Sequence, residues 1–198
     1  MHGRRNPFVA HEGLPFLAVA LAVAIFLVRY YEPWLALVPA GAFVLLFLLF
    51  RDPLRVVPSV ALGVVSPVDG EVIEVGRIDV GETGAEALRV VIKIDCCGSY
   101  TARSPVEGKI MDLGKGALWV QTDEGDDVVL KFRGYRLGLP PRSFARMGER
   151  LGQGQRCAYL RLTRLAEVQW PVAGKVLVEC GQRVTAGIDV IGSVPHPR

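Results

Sequence analysis

Hydrophobic positions are distributed unevenly along the chain. Leu14 to Val28 carries no charge, Arg29-Tyr30-Tyr31-Glu32-Pro33 interrupts it, and Trp34 to Phe50 is again uncharged. Each run is about 15 to 17 residues, slightly short of the roughly 20 that cross a bilayer squarely. The pattern predicts two short apolar helices joined by a tight polar turn, with Tyr30, Tyr31 and Trp34 suited to the far interface. Arg4 and Arg5 precede the first run, and Arg51 and Arg55 follow the second. Both ends are therefore expected on the cytoplasmic side. A cleaved signal peptide accounts for the first run alone. A second apolar run follows at once, and no convincing small-residue cleavage site separates them.

Beyond Phe50 the period shortens to that of strands. β-Branched runs recur at Glu71–Val75, Leu88–Ile94, Leu118–Gln121, Val128–Phe132 and Lys175–Val178. Glycines and acidic turns such as Asp123-Glu124-Gly125-Asp126-Asp127 separate them. No stretch reads as a long amphipathic helix. Three segments repeat: Ser66-Pro67-Val68-Asp69-Gly70, Ser104-Pro105-Val106-Glu107-Gly108 and Trp170-Pro171-Val172-Ala173-Gly174. Proline opens an extended segment without needing a ladder donor, and glycine permits a sharp bend before the next strand. Gly154-Gln155-Arg156 and Gly181-Gln182-Arg183 form a second matching pair. The order P-V-x-G-x-V then G-Q-x-V-x-x-G resembles the sandwiched hybrid barrel of biotinyl and lipoyl carriers. The modifiable lysine of such carriers, in Met-Lys-Met or Asp-Lys-Ala, does not occur here, so a carrier role is not expected. The expected architecture is a membrane anchor over residues 1–50 and a mainly β, barrel-sandwich-hybrid-like domain over residues 51–198.

Composition sharpens this division. Hydrophobic residues make up 51% of the 198 and mean hydropathy is +0.32, with the excess confined to residues 13–50. The formal net charge of +3 is too small to suggest nucleic acid. Its distribution matters more: Lys131 to Arg164 holds nine basic residues against one acid, Glu149, a local charge of +8. Beside a bilayer such a stretch attracts anionic headgroups, at roughly 1 kcal/mol per residue near the surface; the alternative is a set of solvated loop arginines. Cys96, Cys97, Cys157 and Cys180 contain no C-x-x-C pair and read as reduced thiols of a cytosol-facing domain. The three histidines, His2, His11 and His196, lie near the ends. No histidine-based triad or metal site is expected in the core of the domain.

Read in order, several motifs resemble the short-form phosphatidylserine decarboxylase proenzymes across nearly the whole chain. They are His11-Glu12-Gly13-Leu14-Pro15-Phe16, Phe50-Arg51-Asp52-Pro53-Leu54-Arg55, Val65-Ser66-Pro67-Val68-Asp69-Gly70, Arg103-Ser104-Pro105-Val106-Glu107-Gly108 and the glycine segments that follow. The resemblance implies a proenzyme that cuts itself at a Gly-Ser bond, turning the serine into a pyruvoyl group that serves as electron sink for decarboxylation. It also implies an aspartate and a histidine that activate the serine.

Against that pattern, Asp69 matches the acid. The histidine strand, like D-V-H-V-N-R-x-P in the family, reads here Gly98-Ser99-Tyr100-Thr101-Ala102-Arg103-Ser104-Pro105, with Tyr100 at the histidine position. A phenol near pKa 10 is a poor general base at neutral pH. The cleavage stretch, like G-Q-R-I-G-L-I-R-F-G-S-R-V-D, aligns without a gap to Gly154 through Glu167, which puts Thr163 at the glycine and Arg164 at the serine. Arginine can neither attack a peptide bond nor become a pyruvoyl group. Thr163, Gly98-Ser99 and Gly192-Ser193 are the remaining places where an atypical cut is conceivable.

The expectation is thus a degenerate family member at the cytoplasmic face of a bacterial inner membrane, without pyruvoyl cofactor or metal. It would bind the lipid membrane through anionic or amino phospholipid, and associate with an active relative or with itself. The alternatives are an active decarboxylase with an atypical cleavage site, and a membrane-anchored interaction scaffold.

Overall fold

The computed structural model describes residues 8–58, 60–96, 98–112, 116–135 and 138–195. Arg4, Arg5, Cys97, Arg136, His2 and His196 lie outside them. The chain divides into two compact units, residues 1–54 and 55–198.

The first unit carries helices α1 (Leu14–Tyr30) and α2 (Leu37–Phe50), each entered through a short 3-10 turn, His11–Gly13 and Pro33–Ala36. Pro15 sits in the first turn of α1, where its missing N–H costs nothing. Tyr31 is already extended, and Glu32 before Pro33 is biased the same way, which ends α1. The second apolar run is therefore not one helix from Trp34: Pro33 imposes the tighter turn before α2 starts. With their turns the two segments are 20 and 18 residues long, enough by length and composition to cross a membrane. The rings of Phe16 and Phe50 stack with centroids 5.9 Å apart. Most other apolar side chains face outward, among them Val19, Ile25, Phe26, Val28, Leu37, Val38 and Leu45. So large a continuous apolar surface is rarely left to water. Tyr30, Tyr31 and Trp34 are exposed around the turn.

The second unit contains no α-helix among its described residues. Its strands are β1 (Gly63–Val65), β2 (Gly70–Ile78), β3 (Ala87–Ile94), β4 (Thr101–Arg103), β5 (Gly108–Asp112), β6 (Ala117–Gln121) and β7 (Asp127–Arg133). They continue with β8 (Arg142–Ser143), β9 (Arg150–Leu151), β10 (Arg156–Tyr159), β11 (Leu165–Pro171), β12 (Lys175–Val176), β13 (Arg183–Val184) and β14 (Val190–Ser193). Eight of them make one antiparallel sheet in the order β13-β2-β3-β11-β7-β6-β5-β9, and β1-β14-β12 and β4-β10-β8 make two small ones. The protein is mainly β, as its sequence predicts, but the large sheet stays open and no barrel is closed. Alternation sorts the faces: Val90, Ile92, Val128, Leu130, Ala166, Val168 and Trp170 enter one core with Val64, Ala102, Cys157 and Ile191 of the small sheets.

The repeated segments are structurally equivalent. Val65 N–H donates to Pro105 O (2.8 Å) and Arg103 N–H to Pro67 O (2.9 Å). Ser66 Oγ donates to Val68 O, and Ser104 Oγ to Val106 O, both at 2.7 Å. Gly181 N–H meets Val72 O, and Gly148 N–H meets Ile110 O; Gly187 N–H meets Ser66 O, and Gly154 N–H meets Ser104 O. These bonds correct one sequence pairing. The counterpart of Gly181-Gln182-Arg183 is Gly148-Glu149-Arg150, while Gly154 answers Gly187. The three-letter identity of Gly154-Gln155-Arg156 with Gly181-Gln182-Arg183 misleads because Gly154 N–H donates to Ser104 O, not to the β5 strand.

Candidate active site

Asp69 enters the site at the end of the first P-V-x-G segment, just before β2. Its main-chain O accepts from Asp95 N–H at 3.0 Å, fixing it against the end of β3. The turn after β3 closes over it, which Gly98 permits: a Cβ there would lie 2.8 Å from the Asp69 Cβ. The carboxylate is then saturated. Oδ1 accepts from Arg55 Nη1 (2.5 Å) and Ala186 N–H (2.8 Å); Oδ2 accepts from Arg55 Nη2 (2.6 Å) and Ser99 N–H (2.7 Å). Arg55 also donates to Ala186 O at 2.8 Å. Burial pushes the Asp69 carboxyl up, but the Arg55 hydrogen bonds, the two backbone donors and the Arg55 charge together outweigh it and hold the group below its ordinary value. Asp69 is a fixed anion here, with its basicity reduced.

A cavity of about 480 Å³ opens beside the pair, lined by Arg55, Asp69, Asp95, Cys96, Arg183 and Thr185 among others. Asp95, Cys96 and Arg183 are exposed on its wall. Two guanidinium and two carboxylate groups thus face one open cleft.

The main chain brings the other two sequence-predicted positions close by. Tyr100 follows Ser99, and its carbonyl accepts from Leu160 N–H at 2.9 Å. Arg164 O accepts from Ile94 N–H at 2.8 Å, one residue before the Asp95 that holds Asp69. The side chains diverge. Tyr100 is buried in an aromatic group, its ring centroid 5.8 Å from Tyr159, which lies 5.0 Å from Phe144. Arg164 is exposed and packs beside Gly134. Thr163 is buried, and its Oγ1 donates to Leu160 O at 2.6 Å, closing a turn rather than facing a reacting bond.

Arg55 was readable in the sequence only as a flanking charge. Its place in Phe50-Arg51-Asp52-Pro53-Leu54-Arg55, shortly before the first P-V-x-G segment, is the one signal that pointed to the site. The Ala186 and Ser99 amides left none, because backbone donors carry no side-chain signature.

No protein-family model matches the chain. Among curated proteins, the phosphatidylserine decarboxylase proenzyme of Nitrosomonas europaea is 33% identical over 203 residues, covering 91% of this chain and 93% of that protein. The chain belongs to the phosphatidylserine decarboxylase proenzyme family. The family's Symbiobacterium thermophilum proenzyme is 31% identical over 217 residues, 99% of this chain and 100% of its own length. Burkholderia mallei contributes a third, 27% identical over 216 residues. Among solved structures, the glucose permease IIA of Mycoplasma capricolum superposes on 66% of this chain and 94% of its own, with a TM-score of 0.49 at 20% identity.

The basic segment of this decarboxylase relative is less uniform than its sequence. Lys131 pairs with Glu82, Arg133 with Glu167 (2.8 Å), and Arg150 with Glu107 (3.2 Å) and Asp123. Arg156 is buried. Arg142, Arg146 and Arg164 are exposed. The repeat also supplies a comparison for the site itself: Glu107 occupies the position equivalent to Asp69, yet its side chain is 59% exposed against 13%, and it meets Arg150 at the surface.

Proposed function

We propose that this protein is a non-cleaving member of the phosphatidylserine decarboxylase family. It is held in a bacterial inner membrane by α1 and α2, with its β unit on the cytoplasmic side. It binds aminophospholipid headgroups at the Asp69 cleft, and so acts beside an active relative in phospholipid metabolism. The observation that carries this reading is the divergence of the three side chains. The main chain gathers their positions, but Asp69 is saturated by Arg55 and two amides, Tyr100 packs into aromatics, and Arg164 faces solvent.

The residues present do not fit a pyruvoyl group. That group derives from a serine, and Thr163-Arg164 provides none at the aligned position. A depressed carboxyl without a histidine is a weak base for activating any hydroxyl. What the cleft retains is charge complementarity, with Arg55 and Arg183 for phosphate or carboxylate and Asp95 for an ammonium group.

Binding of the full chain in nanodiscs to short-chain phosphatidylserine, against phosphatidylglycerol, tests the headgroup reading. Preference for phosphatidylserine that weakens in Arg183→Gln supports it. Equal binding to both, abolished by salt, leaves only electrostatics and sinks specific recognition.

A second reading has one observation in its favour. The Gly98-Ser99 bond lies at the carboxylate, with the Ser99 amide on Asp69 Oδ2, so an atypical self-cleaving decarboxylase would cut there. Ser99 Oγ instead donates to Thr101 O at 3.2 Å, directed along its own strand.

A further inference from the structure

The internal repeat builds the charged corner of the cleft twice and pairs its groups differently. Arg183 lies opposite Glu71 of β2, and Arg150 lies opposite Lys109 of β5. Glu71 in turn lies opposite Lys93, and Lys109 opposite Gln121. Asp95 and Asp123, each two residues farther along, therefore stand at the same place. With Asp69 answered by Glu107, each copy holds one arginine and two carboxylates in equivalent positions. In the second copy Arg150 pairs with both acids, Glu107 at 3.2 Å and Asp123. In the first copy Arg55, which precedes the repeated segments, takes both oxygens of Asp69 instead.

That substitution of partners decides what charge the cleft has left. Arg55 and Asp69 compensate one another. The side chains of Arg183 and Asp95 make no ion pair or hydrogen bond with a described residue. Both line the cavity of about 480 Å³, whose remaining side chains, Cys96, Val184 and Thr185, add no cation. Glu71 and Lys93 continue the cross-strand row from Arg183 but do not line the cavity. A ligand therefore meets one uncompensated cation and one uncompensated anion. The twin bounds their separation: from the same register Arg150 reaches Asp123, so Arg183 and Asp95 lie within one arginine's reach of each other.

We infer that the cleft selects the ethanolamine headgroup over the serine headgroup. This rests on the headgroup reading above and narrows it. The phosphodiester meets Arg183 and the ammonium meets Asp95, both through charge-assisted hydrogen bonds. Only a short two-carbon link separates those groups in the ligand, which suits so small a gap. A serine headgroup adds a carboxylate, for which no uncompensated cation remains, and an unpaired charge is costly to desolvate. A glycerol headgroup has no ammonium and leaves Asp95 unpaired. The ethanolamine headgroup is the serine headgroup less its carboxylate, so an occupied cleft marks the product of a decarboxylation and not its substrate.

The soluble headgroups glycerophosphoethanolamine, glycerophosphoserine and glycerophosphoglycerol test this without partition into lipid. Each is titrated into the full chain in a non-ionic detergent and followed by ligand-observed NMR. The ethanolamine compound is expected to bind about tenfold tighter than the serine compound, the difference made by one charged hydrogen bond. The serine compound is expected to bind tighter than the glycerol one. Asp69→Asn releases the Arg55 charge and should reverse the first preference. Because that variant also loses stability, Cys96→Lys on the exposed wall supplies a second cation without touching the Arg55–Asp69 pair. It should bring the serine compound level with the ethanolamine compound or above it. Serine binding at least as tight as ethanolamine in the parent chain, with both above glycerol, overturns the selectivity and leaves the headgroup reading standing. So does a Cys96→Lys chain that keeps the parent's order. Equal binding of all three, or none, overturns the headgroup reading and this inference with it.

Discussion

Asp69 and Arg55 form the tightest charge pair of the cleft, with side chains 13% and 10% exposed. Removing one partner of so buried a pair strands the other, so Asp69→Asn is expected to cost about 3 kcal/mol in denaturant unfolding. The acid limb of stability should report the same bond. A carboxyl held below its ordinary value of 3.8 contributes stability that is present above that pH and lost as pH falls through the depressed value. Melting temperature measured from pH 2 to 7 should therefore fall less steeply at the acid end in Asp69→Asn; superimposable slopes would mean that Asp69 is not the titrating group. A second prediction concerns Thr163 and Arg164. Restoring the aligned residues by Thr163→Gly/Arg164→Ser should leave the chain uncut after prolonged incubation, because no histidine stands at position 100 and Asp69 remains clamped. Cleavage in that double variant would show that the clamp releases the acid.

At the scale of elements, the repeat predicts where substitution is costly. A Cβ on Gly70 or Gly108 would lie 2.1 Å from the carbonyl oxygen of Lys93 or Gln121, which are backbone atoms that cannot swing aside. Gly108→Ala, away from the cleft, should destabilise by about 2–3 kcal/mol, and unfolding midpoints like the parent's would refute that equivalence. The five strands read from β-branched runs all exist, as do the two apolar helices. The central strand β11 was not among the β-branched runs, having only Val168 of that kind. Leu165–Pro171 carries Glu167 and Gln169 on the face opposite the core, and both are buried there, Glu167 against Arg133 and Gln169 with its Nε2 on Glu167 Oε1. Ala166-Glu167-Val168-Gln169-Trp170 does alternate as a half-exposed strand would; what the pattern does not encode is that its polar face is covered as well. The two-residue strands β8, β9, β12 and β13 are likewise set by long-range pairing, not by their own composition, apart from the β-branched run that overlaps β12. Asp69 was legible through its motif, whereas its partner and the fate of Tyr100 and Arg164 depend on side-chain directions that spacing does not encode.

For the whole molecule, the division of labour is clear from composition and carried through in three dimensions: two exposed apolar helices long enough to cross a membrane, then a β unit with one core and an open charged cleft. The family frame is retained over nearly the full length of the chain. The central claim is that this frame is not processed. The intact mass of the membrane-extracted protein, under denaturing conditions with and without borohydride, tests it most directly. The account predicts one species at the full-length 21.6 kDa, less Met1 where that residue is removed, with no mass change on reduction. Two fragments with a cut before Ser99, Thr163 or Ser193, the C-terminal one gaining mass on reduction, would contradict it and make the protein a self-cleaving pyruvoyl enzyme.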